Sequence, residues 1–188
     1  MNFDHWLRYQ RARLLVFFNR RQRAIDELRA LLALDPSHAR ATSLLGFLYG
    51  NAGEYAQAAE LFRRALAADP GSAVLQFDLA YVLHLNKDYE PAVDAFRRAL
   101  VLDKMLDRAW YGMGLALNAL GRREEAAEAL EKASELQPMN GYSWYELGMT
   151  YHALGRGKKL AEVIAHLNRV DPKAGRQLAR DTGGRTAD

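Results

Sequence analysis

The feature that most constrains this chain is a step of thirty-four residues. Pro36, Pro70, Pro138 and Pro172 lie on one lattice of that spacing, and its missing member falls at Lys104. Three of these prolines follow aspartate, at Asp35, Asp69 and Asp171, and the fourth follows Gln137. Other columns keep the step. Phe62 and Phe96 sit in the matching strings LFRRAL and AFRRAL. Ala58, Ala92 and Ala126 form one alanine column, and Ala65, Ala99 and Ala133 form another. Gly46, Gly114 and Gly148 form a glycine column in which Ala80 fills the gap. A period of this kind means one supersecondary unit used several times, stacked so that neighbours bury what a single unit cannot.

Each unit reads as two helices. Leu44, Leu45, Leu48 and Tyr49 make a helical stripe. Gly53 breaks that helix, and a second amphipathic stretch runs from about Tyr55 to Ala68. Asp69-Pro70 ends it, because proline disfavours helix in the residue before it. The small columns let two helices approach closely, and Phe62, Phe96 and Leu130 fill the space beside them.

These residues resemble the tetratricopeptide repeat family, whose pattern is W-x2-L-G-x2-Y, then alanine, an aromatic and proline on thirty-four residues. Trp144, Leu147, Gly148, Tyr151 and Pro172 carry it in 141–174. Trp110, Met113, Gly114, Leu117, Ala126 and Pro138 carry it in 107–140. Leu45, Gly46, Tyr49, Ala58, Phe62, Ala65 and Pro70 carry it in 39–72, and Leu79, Ala80, Ala92, Phe96 and Ala99 in 73–106. The resemblance implies an all-α, right-handed superhelical solenoid of about five helix-turn-helix units, at 5–38, 39–72, 73–106, 107–140 and 141–174. A short capping helix and a polar tail are expected over 175–188.

Departures from the pattern set further expectations. Lys87 replaces the glycine of Gly53, Gly121 and Gly155, and Lys104 replaces proline, so the turns of the third unit are expected to be looser. Leu160 stands in the alanine column, so the second helix of the fifth unit is expected to stand off. In the first unit Arg8 and Arg11 occupy core positions, and the rotation of its first helix stays open.

Composition narrows the function. The charged share is 26%, the apolar share 49% and the net charge +3, as in an ordinary globular domain. Leu14–Phe18, as long an apolar run as the chain has, is far short of a membrane span. No secretory leader is visible, so the expected location is cytoplasmic. Cysteine is absent, which removes thiolate chemistry. The five histidines form no ligand spacing, and His84 and His152, in one column, stand two repeats apart. No phosphate loop or nucleophile with a base is present, so neither an enzyme nor a cofactor or metal is expected. The pairs Arg63-Arg64 and Arg97-Arg98 follow acids at Glu60 and Asp94, as Lys132 follows Glu128, which reads as a solvated outer face and argues against nucleic acid.

The resemblance also places function. In the family the first helices line a concave face that binds protein. Its inward positions here offer Arg40, Phe47, Phe77, Tyr81, His84, Arg108, Tyr111, Asn118, Tyr142, Tyr145, Met149 and His152 as a peptide groove. Whether these rings are exposed or pack between helices stays open. The carboxylate clamp for heat-shock chaperone tails is absent, because Tyr9, Arg13, Ser43 and Phe47 stand where Lys and Asn are needed. The expected function is a non-enzymatic scaffold for a peptide or helix of a partner protein. The alternative is a secretion or assembly chaperone that self-associates, as a homodimer, through an N-terminal helix. Trp6, Phe17 and Phe18 would be its docking residues, since the apolar residues there cover more than one face. The basic charge balance counts against it, such chaperones usually being acidic. A third reading is a regulatory domain of a larger enzyme, against which the complete-looking start and polar end weigh.

Overall fold

A computed structural model describes residues 3–183, and they are all-α. Eleven helices follow one another: α1 Phe3–Phe17, α2 Arg21–Leu34, α3 Ala39–Asn51, α4 Tyr55–Ala68, α5 Ala73–Leu85, α6 Tyr89–Leu102, α7 Asp107–Ala119, α8 Arg123–Leu136, α9 Gly141–Ala153, α10 Gly157–Val170 and α11 Pro172–Asp181. Residues 184–188 of the expected tail lie outside the described residues. The chain divides into two compact units, one up to Asp88 and one from Tyr89. The division falls between α5 and α6.

In the first unit α1 packs on α2, α3 on α4, and α4 on α5. Ala24, Leu28, Leu31, Ala58, Phe62 and Ala65 are buried between them. Phe62 lies against Gly46, where a Cβ would already be 3.3 Å from its ring. The rotation of α1, open from sequence, is set by Ala12, the one residue that helix buries. Ala12 stands one repeat before Gly46 and so belongs to the same column of small residues. Arg8 does not enter the core; its guanidinium meets Glu27 at 3.2 Å.

In the second unit Phe96, Leu130, Leu147, Leu167 and Leu178 are buried to 2% exposure or less. A Cβ on Gly114 would lie 2.6 Å from Leu130 Cγ, so a glycine is what lets α7 and α8 meet. At the corresponding Gly148 the filling side chain is Leu178, which comes from α11 and not from α10. The bulk of Leu160 explains this. It is half-buried where alanine is fully buried in the other units, and it holds α10 off, as expected.

Every helix pair turns the same way. Asn19, Gly53, Lys87, Gly121 and Gly155, each thirty-four residues from the last, have φ of 54°, 82°, 67°, 76° and 69°. The next residue then bonds back five residues, Arg20 N–H to Leu15 O, Glu54 to Tyr49, Asp88 to Leu83, Arg122 to Leu117 and Arg156 to Tyr151, at 2.7–3.0 Å. This is the left-handed helix stop that glycine favours. The expectation of looser turns in the third unit is therefore corrected. Lys87 adopts glycine's conformation, because the carbonyls at the end of α5 need the same bonds. At the other turn Trp110 Nε1 donates to Lys104 O at 2.9 Å, just as Trp144 Nε1 donates to Pro138 O at 2.9 Å. A carbonyl suffices there, and lysine supplies one as well as proline.

The expected acid-before-base pairs four residues apart are also corrected. At these positions the structure has Arg63–Glu60 at 3.7 Å, Arg97–Asp94 at 3.9 Å and Lys132–Glu135 at 2.7 Å, each three residues apart. Arg97 reaches Glu125 on α8 as well, at 3.1 Å. These arginines are engaged with carboxylates on exposed helix faces.

A side chain in the left-handed region costs about 1–2 kcal/mol, part of which glycine returns through its freer unfolded state. Lys87→Gly is expected to stabilise the chain by about 0.5–1 kcal/mol, read as a higher midpoint in urea denaturation with an unchanged slope.

Candidate peptide-binding face

The first helices present one side to the core and the other outward. In α3, Ala41, Leu45, Leu48 and Tyr49 are buried, which leaves Arg40, Ser43, Leu44 and Phe47 on the opposite side. With Tyr9, Val74 and Asp78 they line an open cavity of about 400 Å³ in the first unit. Phe47 and Tyr81 are each 49% exposed. Phe77, half-buried, stacks on Tyr81 with ring centres 6.1 Å apart and planes 15° apart. They stand four residues apart on α5, so the helix itself makes the pair. His84, one turn further, is half-buried, and burial holds its imidazole below the usual pKa.

In the second unit the column of Phe77 stays half-buried, whereas Met149, in the column of Phe47 and Tyr81, is less exposed than they are. Tyr111, Tyr145 and Met149 pack against the core around Leu130, Leu147, Tyr151 and Leu178 and are half-buried. Burial, then the negative Glu146 and Tyr142, raise the pKa of the Tyr111 phenol. Asn118 Nδ2 donates to Thr150 Oγ1 at 2.8 Å, and that hydroxyl donates to Glu146 O at 2.7 Å, so Asn118 ties α7 to α9. Tyr142 is 79% exposed. Arg108 and His152 are exposed too.

A second cavity, of about 600 Å³, opens between α9 and α11, lined by Tyr142, Tyr145, Glu146, Asp171, Lys173 and Gln177 among others. Tyr145 Oη donates to Asp181 Oδ2 at 2.6 Å. That bond first, then burial and the negative Asp181 and Glu146, push the Tyr145 phenol up to about 12. The same bond, with a second from Gln177, lowers the pKa of Asp181.

The structure thus brings Arg40 and Phe47 to one cavity, Phe77 and Tyr81 to one stack, and Tyr142 and Tyr145 to another cavity. Glu146 lies at an inward position of the fifth repeat, beside Tyr145. Lys173, Gln177 and Asp181 lie on α11, which has no counterpart in the preceding repeats to reveal them. At the other end Phe17 is 81% and Phe18 65% exposed, with their rings edge to face at 5.2 Å. Trp6 is exposed as well and stacks on Phe3 at 5.9 Å. Among the described residues no group of three His, Asp or Glu side chains stands close enough to hold a metal ion. Among them, too, no helix is long and apolar enough to cross a membrane.

A family model for the tetratricopeptide repeat matches residues 9–73 and 48–104, and a second, for the TPR repeat, matches 114–155. The chain belongs to the tetratricopeptide repeat family. This repeat protein resembles several solved structures. MamA shares 22% identity over 97% of this chain and 96% of that one, with a TM-score of 0.80. MamA from Desulfovibrio magneticus RS-1 shares 20% over 96% and 98%, with a TM-score of 0.81. YrrB, described as a TPR protein with an unusual peptide-binding site, shares 26% over 94% and 90%, with a TM-score of 0.82. No curated protein matches the repeat protein in sequence.

The Tyr145–Asp181 bond fixes a pH window. A phenol held above its unfolded pKa contributes stability below about pH 10, and the contribution is lost as pH rises toward 12. A lowered carboxyl contributes above its unfolded pKa of about 4 and is lost in acid. Spectrophotometric titration is expected to show a tyrosine near pH 12 that is missing from Tyr145→Phe, which is also expected to lose stability across the window.

Proposed function

We propose that this chain is a non-enzymatic, cytoplasmic protein-binding scaffold that seats a peptide or helix of a partner protein on the concave face of its first helices. The observation that carries the reading is the exposed aromatic surface of Phe47, Tyr81 and Tyr142 on helices whose opposite sides form the core. Fully burying a large apolar side chain contributes about 1.5–3 kcal/mol, so Phe47 and Tyr81, both in the compact unit up to Asp88, offer enough surface to hold a segment. Tyrosine suits the task, having an apolar body with a polar tip and few rotors to freeze. Membership of a family of general protein-interaction scaffolds supports the reading, as does the described peptide-binding site of YrrB. The carboxylates paired with Arg63 and Arg97 weigh against nucleic acid. Phe47 and Ser43, in place of clamp residues, weigh against chaperone tails.

Because Phe47 and Tyr81 are half exposed, Phe47→Ala with Tyr81→Ala is expected to change stability by about 1 kcal/mol or less. The same pair is expected to weaken capture of the cellular partner about tenfold or more. Unchanged capture, measured by pull-down with quantitative mass spectrometry, would remove this face from the reading.

A second reading is self-association through α1. It is favoured by the exposure of Phe3, Trp6, Leu14 and Phe17 on α1 and of Phe18 just after it, where a repeat array normally presents a polar face. On this reading the wild type sediments as a dimer at tens of micromolar, a range set by about 1.5–3 kcal/mol per buried side chain. Phe17→Glu with Phe18→Glu then sediments as a monomer.

A further inference from the structure

Resting on the peptide-binding reading, we propose that the cavity between α9 and α11 takes a basic side chain of the partner, an arginine held between tyrosine faces over the Glu146 carboxylate. The cavity has the parts that such a group needs. Tyr142 and Tyr145 supply ring surface, and Met139 supplies a flexible apolar stem beside them. A guanidinium is weakly hydrated and lies well on aromatic faces. Glu146 stands four residues beyond Tyr142, one helical turn deeper, and lines the same space.

Glu146 differs from the other carboxylates around it. Asp171 is already engaged: its Oδ1 accepts the Ala174 N–H at 3.1 Å and caps α11. Its Oδ2 lies 2.6 Å from where a Cβ of Gly141 would stand, so it also covers the positive end of α9. Asp181 is held by Tyr145 and Gln177. Glu146 is half-buried, makes none of these bonds, and burial raises the pKa of its carboxyl. A carboxylate withdrawn from water without a counter-charge favours the arrival of one. Lys173, exposed on α11, also lines the cavity. An acidic partner group seeking Lys173 would face Glu146 and Asp171 together, whereas a basic group meets one lysine and two carboxylates.

The test is an amide-resolved NMR titration of the full chain with three probes. They are N-acetyl-arginine amide, its uncharged isostere N-acetyl-citrulline amide, and N-acetyl-glutamate amide. The arginine probe is expected to shift Gly141, Tyr142, Glu146 and Ala174, binding about five-fold or more tighter than citrulline, in line with a charge-assisted contact. Glu146→Gln, nearly isosteric, is expected to reduce arginine to the citrulline level, and Tyr142→Ala, at an exposed position, to weaken it. Lys173→Ala is expected to tighten it. Equal binding of arginine and citrulline, tighter binding of glutamate, or shifts outside this cavity would overturn the proposal. The peptide-binding reading fails on a different measurement, when the Phe47 and Tyr81 substitutions leave partner capture intact.

Discussion

Two helices lie close only where no side chain stands between their backbones, and this structure is organised by that exclusion. Ala12, Gly46, Ala80, Gly114 and Gly148 keep one side of the first helices bare, and Ala24, Ala58, Ala92 and Ala126 do the same for the second helices. All are buried. Once the backbones are in contact there, the larger neighbours have one place to go. Leu28, Phe62 and Leu130 fill the wedge beside the contact at 0–2% exposure. The outward sides of the first helices are then fixed too, since a helix has one rotation once its bare stripe is seated. Phe47 and Tyr81 are turned outward because Leu45, Leu48, Leu79 and Leu83 are turned in.

This explains why the fold was legible. A spacing of thirty-four residues survives as identical or similar letters at each contact, so the pattern is visible without any structure. What was not legible is where a different letter performs the same task. Lys87 looks like an interruption, yet the turn geometry depends on the backbone bonds that end α5, and lysine accepts the strain. Lys104 looks like a lost proline, yet the bond to Trp110 needs a carbonyl only. Ala12 was present in the sequence and passed over, because the charged and apolar residues around it obscured its column.

The candidate face was half legible. The inward columns fall on the first helices, but a column does not say how deeply each member sits. Phe77 and Tyr111 are half-buried while Phe47, Tyr81 and Tyr142 are open. Asn118 reads as a groove amide and instead bonds Thr150. The cavity beside Tyr145 depends on α11, whose residues have no repeat to be compared with.

The seating of Leu178 on Gly148 has a consequence for how such an array changes over generations. A duplicated unit inserted between two existing turns meets on either side the neighbours it came with, so internal duplication is tolerated by the geometry. Growth beyond α10 is a different matter. Leu160 has already moved α10 away from the seat, and α11 occupies it with Leu178, held in register by the Tyr145–Asp181 bond. A newcomer at that end has to displace a helix that fits. Substitutions at Leu160 and Leu178 therefore act on the seat of α11 more than on the repeats before it.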